Sequence, residues 1–224
     1  HDDDVTPFPS VSTALSEPNG LLMAGGNLSP SRLIAAYKNG VFPWYEAGEP
    51  ILWWSPDPRC VIFPDDIRIT RSLNKTIRNN EFLIKENTAF RDVMNACAAP
   101  RRDSSGTWVT SDMINAYCRL NEMGIAHSVE VWSDDELVGG LYGIKLGRVF
   151  IGESMFSRQS NVSKIALVHL AKSDDIHLID CQLETAHLNS MGATCIKRER
   201  YIELLNTLGG FDTDLLNTTQ VNND

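Results

Sequence analysis

The spacing of apolar residues changes character near the middle of the chain. In the first half, helix-periodic stretches bounded by capping residues and glycines predict helices over residues 31–39, 72–79 and 111–122. From residue 127 onward the pattern alternates, which predicts strands over residues 127–132, 137–145 and 148–156. An apolar helix over residues 162–171 and a strand over residues 176–183 follow. The second half therefore predicts an antiparallel meander, then a helix, then one more strand.

The order of these elements indicates the fold class. A meander, a loop, a helix and a strand in succession resemble the GNAT acyltransferase fold. The part of the chain before residue 60 is rich in Pro and Gly and holds three of the five tryptophans, which is typical of loops anchored by aromatic rings. We therefore predict an α/β fold of the α+β type. A small N-terminal α/β lobe, residues 1–95, packs on a GNAT-like C-terminal lobe, residues 96–224, with a mainly antiparallel sheet.

Composition excludes several classes of protein. The 224 residues carry a formal net charge of -9, so RNA binding must use a local cationic patch. The five cysteines form no C-x-x-C pair and the histidines lack the spacing of metal ligands, so we expect neither disulfides nor a metal. The apolar stretches are too short to cross a bilayer, and the start of the chain is unlike a secretory signal. We expect a protein with no membrane contact that is cytoplasmic or has already been processed.

The strand predicted over residues 176–183 contains the first candidate catalytic residues. Side chains alternate along a strand, so Asp180 and Gln182 share one face while Ile179 and Cys181 share the other. A carboxylate and an amide on a buried strand are costly unless they are paired, so they form either a working site or a structural pair. Glu153 is the second candidate carboxylate, and a surface salt bridge is its alternative role.

Six segments of the chain resemble the signatures of a single family. They read EPNGLL from Glu17, GVFPWY from Gly40, ILWWSPDPR from Ile51, AHSVEVW from Ala126, GESMFSR from Gly152 and LIDCQ from Leu178. In this order they are similar to leucyl/phenylalanyl-tRNA protein transferases, and the similarity extends from Phe8 to about Leu205. Lys197 stands where the family usually has Pro, and this position lies away from the candidate chemistry.

The resemblance implies an activity and its substrates. Members of the family transfer Leu or Phe from aminoacyl-tRNA to proteins that begin with Arg or Lys, which marks those proteins for degradation in the N-end rule pathway. We expect the same partners here, with Met as a further candidate donor. Aminolysis of an ester is downhill and needs alignment and a stabilised oxyanion, so we expect no cofactor and no metal.

The resemblance also implies roles for the candidate residues. Asp180 is expected to hydrogen-bond the attacking amino group, with Gln182 holding that carboxylate or the substrate, while Glu153 faces the amino group of the donor. A donor pocket is expected from residues that could also be plain core: Phe150, Gly152, Met155, Leu167, Leu170 and Ile179. Strict alternation cannot place Phe150 and Glu153 on one face, so their strand must contain a bulge.

Aromatic and basic residues complete the expected substrate contacts. Tyr37, Trp44 and Trp108 are expected to grip the tRNA end or the acceptor peptide because aromatic faces stack on bases, although a Trp can also be a packing anchor. A cationic stripe at helical spacing is formed by Arg68, Arg71, Lys75 and Arg78. We expect the last three to bind tRNA, with a solvated helix face as the alternative.

Three other functions remain open at this point. An acetyl-CoA-dependent N-acetyltransferase would suit the fold, but the loop over residues 157–164 lacks the glycine-rich fingerprint that binds the cofactor pyrophosphate. A thiol hydrolase would use Cys181 with His187, and strand alternation opposes it because Cys181 lies on the face away from Asp180. A non-catalytic RNA-binding module would leave a buried Asp180 and Gln182 unexplained.

Overall fold

The structure is a computed structural model that describes residues 6–79, 82–99 and 109–210. Trp108 lies outside the described residues, so its predicted contact with substrate has no structural counterpart here. Within the described ranges, no helix combines the length and apolar character that crossing a membrane requires. The same residues contain no group of three or more His, Cys, Asp or Glu arranged to hold a metal ion.

The described residues form seven α-helices and ten β-strands. The helices are α1 (Pro30–Lys38), α2 (Arg71–Asn79), α3 (Phe90–Ala98), α4 (Ser111–Glu122), α5 (Val162–Ala171), α6 (Ala186–Ser190) and α7 (Arg198–Leu208). The strands are β1 (Leu21–Ala24), β2 (Phe42–Pro43), β3 (Leu52–Trp54), β4 (Arg59–Ile62), β5 (Leu83–Glu86), β6 (Ala126–Ser133), β7 (Glu136–Leu146), β8 (Val149–Ser157), β9 (Leu178–Gln182) and β10 (Thr194–Ile196).

The predicted elements are present with small shifts at their ends. Helices α4 and α5 have the predicted bounds, and α1 and α2 begin one residue early. The meander is β6 to β8, and the strand after α5 is β9. The spacing of apolar residues predicts none of β1 to β5, β10, α3, α6 and α7. These six strands each have two to four residues, which is too short for an alternating pattern to be visible.

The strands form two sheets. Three short strands pair in the order β1-β3-β2, and seven pair in the order β10-β4-β9-β8-β7-β6-β5. All pairs in the large sheet are antiparallel except β8 with β9, which are parallel and connected through α5. The predicted α/β class with a mainly antiparallel sheet is confirmed. Two strands of the large sheet, β4 and β5, precede residue 95, and the lobe boundary proposed there remains a prediction.

The large sheet is covered on both faces by apolar side chains. One cluster joins α1, α3, α4 and α7 to one face, and a second cluster joins α2 and α5 to the other. Because side chains alternate between the two faces along β8, Ile151 belongs to the first cluster and Phe150 to the second. A strand that is apolar on both faces must lie inside the molecule. The carboxyl-terminal ends of β8 and β9 are therefore held at fixed positions between two packed layers.

Candidate active site

A cavity of about 1090 Å³ opens where the parallel strands β8 and β9 separate. Their pairing runs from Val149 with Leu178 to Ile151 with Asp180. Beyond that point β8 continues to pair with β7, while β9 continues to pair with β4. Residues that follow the separation on both strands line the cavity, Glu153 on one and Gln182 on the other. The sheet itself thus provides a cleft with polar groups from two strands.

Glu153 occupies a bulge in β8. Ser154 pairs with Tyr142 and Gly152 pairs with Gly143, so Glu153 has no partner residue in β7. This extra residue changes the alternation, and both Phe150 and Glu153 line the cavity. The bulge predicted from the sequence is confirmed. Gly143 makes it possible, because a Cβ at that position would overlap the carbonyl oxygen of Ile151 and the ring of Phe150.

The carboxylate of Glu153 is buried and held by three side chains. The Tyr37 hydroxyl donates to Oε1 at 2.7 Å, the Gln182 amide Nε2 donates to the same oxygen at 3.0 Å, and the Tyr117 hydroxyl donates to Oε2 at 3.3 Å. The two tyrosine hydroxyls also contact each other. Burial raises the pKa of Glu153 to about 7, although the hydrogen bond from Tyr37 acts to lower it. Glu153 can therefore change its charge near neutral pH.

Asp180 is fully buried and makes four hydrogen bonds. Arg59 donates from Nε to Oδ1 at 2.8 Å and from Nη2 to Oδ2 at 2.6 Å, which is a bidentate ion pair. The Tyr201 hydroxyl donates to Oδ2 at 2.8 Å and the Gln182 backbone N–H to Oδ1 at 2.8 Å. Burial acts to lower the pKa of Arg59, but the charge of Asp180 outweighs it and the pKa is raised. The guanidinium therefore keeps its charge.

Gln182 connects the two carboxylates. Its backbone N–H bonds Asp180 while its side-chain Nε2 bonds Glu153. The residue has a φ of 63°, which is uncommon for a non-glycine residue. The hydrogen bond to Asp180 spans two residues and closes a local turn, which gives this backbone conformation a partner. Asp180 thus fixes the conformation that directs the amide of Gln182 toward Glu153.

Apolar side chains from both strands and from α5 line the rest of the cavity. All six residues expected to form the donor pocket lie along it: Phe150, Gly152, Met155, Leu167, Leu170 and Ile179. Phe150, Leu167 and Ile179 are each no more than 2% exposed. These side chains also belong to, or pack against, the second core cluster. The predicted pocket and the alternative role as plain core therefore describe the same residues.

The aromatic residues predicted to grip substrate separate in space. Tyr37 is buried beside Glu153, as described above. Trp44 is 44% exposed and lies edge-on to Trp54, with ring centroids 5.6 Å apart. Trp44 is not among the described residues that line the cavity. The structure therefore brings Tyr37 into the site and leaves Trp44 at the surface.

Cys181 and His187 both line the cavity without forming a nucleophile pair. A hydrogen bond with Cys60, together with burial, raises the pKa of the Cys181 thiol well above its ordinary value. His187 Nε2 is buried and has no hydrogen-bond partner within the described ranges. A thiol hydrolase needs a thiolate activated by a neighbouring base, and this arrangement provides neither.

The cationic stripe lies on α2, away from the core. Leu73 and Ile77 pack this helix against the second cluster, and Arg71, Lys75 and Arg78 are exposed. None of the three is in an ion pair with another described residue. Arg68, which precedes the helix, is also exposed. The predicted stripe is thus available to an anionic partner.

Three residues of the site were missed by the sequence analysis, namely Arg59, Tyr117 and Tyr201. Arg59 lies 121 positions before Asp180, and Tyr117 lies 36 before Glu153. Neither short spacing nor periodicity connects such distant positions. Arg59 ends one of the segments that carried the family resemblance, which was the available signal for it.

Comparison with known proteins matches most of the chain to one family. The leucyl/phenylalanyl-tRNA protein transferase family matches residues 61–206, and the N-terminal domain of that family matches residues 26–57. The leucyl/phenylalanyl-tRNA protein transferase of Nitrosomonas europaea is 58% identical over 91% of this chain and 87% of its own. That of Nitrosospira multiformis is 58% identical over 90% and 88%, respectively.

A solved structure of a GCN5-related N-acetyltransferase from Kribbella flavida matches with a TM-score of 0.38 and 10% identity. The matched region covers 74% of this chain and 60% of the acetyltransferase chain. The family matches together include β2, β3 and the residues of the candidate site on β8 and β9, namely Glu153, Asp180 and Gln182. The chain belongs to the leucyl/phenylalanyl-tRNA protein transferase family of enzymes.

Proposed function

We propose that this enzyme transfers Leu or Phe from aminoacyl-tRNA to the N-terminal Arg or Lys of acceptor proteins. The transfer would mark those proteins for degradation in the N-end rule pathway. The observation that carries the proposal is the cavity between β8 and β9, which joins an apolar wall to Glu153 and Gln182 in a member of this family. The apolar wall suits the donor side chain, and the polar end suits two amino groups.

The reaction replaces an ester bond with a peptide bond. The α-amino nitrogen of the acceptor attacks the ester carbonyl carbon, the bond to the terminal ribose oxygen breaks, and the amine loses one proton. That proton leaves with the ribose hydroxyl, so neither ATP nor a metal is needed. The enzyme must hold the amine and the ester in contact, and alignment of this kind can lower a barrier by about 7 to 11 kcal/mol.

In this proposal Glu153 binds the amino group of the donor. Its pKa of about 7 leaves a substantial fraction ionised at neutral pH, and an ionised carboxylate attracts an ammonium group. Tyr37, Tyr117 and Gln182 hold the carboxylate in one orientation. A donor bound by Glu153 would extend its side chain along the wall that contains Phe150. This position favours side chains that are unbranched at Cβ, as in Leu, Phe and Met.

Asp180 was expected to bond the attacking amine directly. Its two oxygens already accept four hydrogen bonds, from Arg59, Tyr201 and Gln182. A carboxylate offers about four acceptor positions, so a bond to the amine would displace one of these donors. We propose that Asp180 acts by fixing Gln182, whose amide faces the reacting groups. Arg59 and Tyr201 would then be positioning residues that keep Asp180 in place.

The tRNA itself would bind through the stripe on α2. Recognition of an acceptor stem depends mostly on shape and phosphate contacts, and Arg71, Lys75 and Arg78 supply exposed cations on an acidic protein. Trp44 at the surface could stack on an unpaired base or on the acceptor peptide. The loop over residues 158–161, between β8 and α5, would face the same substrates.

A transfer assay tests the proposal. Leu-tRNA or Phe-tRNA with a labelled amino acid is mixed with peptides that differ in their first residue, and label in the peptide is counted. We expect transfer to peptides that begin with Arg or Lys and none to a peptide that begins with Ala. Absence of label with every peptide, together with binding of acetyl-CoA in calorimetry, would instead favour an N-acetyltransferase.

A matched pair of variants connects the assay to the cavity. Gln182→Asn shortens the side chain by one methylene, which breaks the bond to Glu153, while Asn still tolerates a positive φ. We expect the rate of transfer to fall by roughly tenfold to a hundredfold, because small misplacements of aligned groups are costly. Asn206→Ala removes an amide from the exposed face of α7 and should leave the rate unchanged.

A further inference from the structure

Three of the five cysteines lie on neighbouring strands of the large sheet. Cys195 on the edge strand β10 pairs directly with Cys60 on β4, and Cys181 is on β9, the next strand. The register between β4 and β9 shifts at this point, because Cys60 pairs with Gln182 and Val61 pairs with Asp180. Cys181 is therefore an unpaired bulge residue beside Cys60. All three thiols are free.

The direct pairing of Cys60 with Cys195 suits a disulfide. Opposed residues in an antiparallel pair have Cα atoms about 4.5 or 5.5 Å apart, and their side chains emerge on the same face. A disulfide joins Cα atoms about 4.4 to 6.8 Å apart, so either kind of pair lies within its range. The two thiols are also close enough for a hydrogen bond, which acts to lower the pKa of Cys60, while burial together with this bond raises the pKa of Cys195. Small adjustments of the side chains would suffice to connect them.

The two thiols differ in exposure. Cys195 is exposed on the edge of the sheet, and Cys60 is fully buried beneath it. A soluble oxidant can therefore reach the first sulfur and not the second. Such an arrangement suits a two-step reaction in which the surface thiol is oxidised first and the buried thiol then reacts with it.

The surroundings of Cys60 favour its role as the attacking thiol. A hydrogen bond from Cys181 lowers the pKa of Cys60 below its ordinary value, a hydrogen bond from Cys195 adds to this, and burial opposes both. The thiolate is the nucleophile in disulfide formation. Cys97 and Cys118 lie instead on helices α3 and α4, in the first core cluster.

We propose that Cys60 and Cys195 form a reversible disulfide when the protein meets a peroxide. The Cys195 sulfur attacks hydrogen peroxide, which yields a sulfenic acid and one water. The Cys60 sulfur then attacks the Cys195 sulfur, the S–O bond breaks, the S–S bond forms and a second water leaves. The two thiols lose two electrons and two protons, and these reduce the peroxide to water. A dithiol reductant such as dithiothreitol returns both thiols.

A disulfide between Cys60 and Cys195 would connect the exposed edge of the sheet to the strands that contain the candidate site. Arg59, which holds Asp180, directly precedes Cys60, and Gln182 pairs with Cys60 across β4 and β9. The proposal concerns the two cysteines themselves and stands independently of the transfer reaction.

Mapping of the oxidised thiols tests the proposal. The reduced full chain is treated with hydrogen peroxide, and remaining thiols are blocked with an alkylating reagent. The protein is then digested without reductant by a protease that cleaves after Glu, because Glu184 lies between Cys181 and Cys195 and cleavage there separates them. The peptides are identified by mass spectrometry. We expect a linked peptide that contains Cys60 and Cys195, which dithiothreitol separates. The Cys118→Ala variant removes a buried cysteine from α4 and should yield the same linked peptide. The Cys195→Ser variant, altered at an exposed position, should yield none, and its Cys60 should remain available for alkylation after unfolding.

Two results would overturn the proposal. One is oxidation of Cys195 to a sulfinic or sulfonic acid while Cys60 remains a thiol, which would show that the buried thiol does not attack. The other is a linked peptide that joins Cys60 to Cys181, which would make the cavity thiol the partner. Because Cys195 is exposed, the serine variant should fold, and the comparison does not depend on altering the buried Cys60.

Discussion

Replacing Glu153 with Gln should stabilise the protein in alkaline solution while it impairs transfer. The pKa of Glu153 is raised from its ordinary 4.5 to about 7, and burial is the main cause. The folded protein therefore holds a proton on this group that the unfolded chain has lost between these two pH values. A raised carboxyl pKa means that stability is highest below pH 4.5 and is lost as pH rises through 7.

The size of the effect follows from the pKa. One pKa unit corresponds to about 1.36 kcal/mol, so ionised Glu153 costs the folded protein about 3 kcal/mol once the pH is well above 7. Gln resembles the protonated carboxyl group in shape and carries no charge. Its amide N–H can donate to the Tyr117 hydroxyl where Oε2 now accepts, and its carbonyl can accept from Tyr37. The substitution should therefore leave these contacts in place.

Urea denaturation at two pH values measures this difference. At pH 5 the free energies of unfolding of Glu153→Gln and the parent should agree within about 1 kcal/mol, and at pH 8.5 the variant should be more stable by about 3 kcal/mol. Glu122→Gln, at the exposed end of α4, controls for the loss of one negative charge. A difference between Glu153→Gln and the parent that is the same at both pH values would refute a buried carboxyl group that ionises near neutrality.

The same substitution should also lower the rate of transfer. Without a carboxylate to attract the donor amino group, Glu153→Gln should transfer roughly 10-fold to 1000-fold more slowly at pH 8, the range for losing one electrostatic contact. A buried charge retained at the expense of stability is typical of functional sites. A variant that is more stable and equally active would remove Glu153 from the reaction.

The remaining predictions concern the ion pair, the donor pocket and the tRNA stripe. Asp180→Asn leaves the Arg59 charge buried without its partner and should lower the free energy of unfolding by about 3 to 5 kcal/mol in urea; a loss below about 1 kcal/mol would show that the pair is not maintained in solution. Phe150→Ala should change the ratio of transfer from Leu-tRNA and Phe-tRNA by about 1 to 3 kcal/mol, and an unchanged ratio in folded protein would exclude Phe150 from the pocket. Changing Arg71, Lys75 and Arg78 together to Ala should weaken tRNA binding and flatten its salt dependence by up to about 2 in the logarithmic slope. An aminoacyl-adenosine donor should be affected far less, and equal losses with both donors would contradict the tRNA role.

The sequence by itself determined the second half of the fold well. The strands β6 to β8 and the helices α4 and α5 are long, and their apolar residues recur with a clear period, so local spacing was sufficient. The bulge at Glu153 followed from strand parity once Phe150 and Glu153 were assigned to one pocket. The family could also be identified from the sequence, because the segments that resemble its signatures are short runs of adjacent residues.

Tertiary structure decided the surroundings of the two carboxylates. The sequence gives no indication that Arg59 and Tyr201 occupy both oxygens of Asp180, since these residues lie on β4 and α7 and meet only when β4 inserts beside β9. Whether Glu153 is a surface ion pair or a buried acid with a raised pKa depends on Tyr37 and Tyr117, which arrive from two separate helices. A pKa depends on burial and on charges within a few ångströms, and neither is encoded by spacing along the chain. Local periodicity therefore determined the long strands and helices of the second half, while long-range packing determined the short elements and the electrostatics of the site.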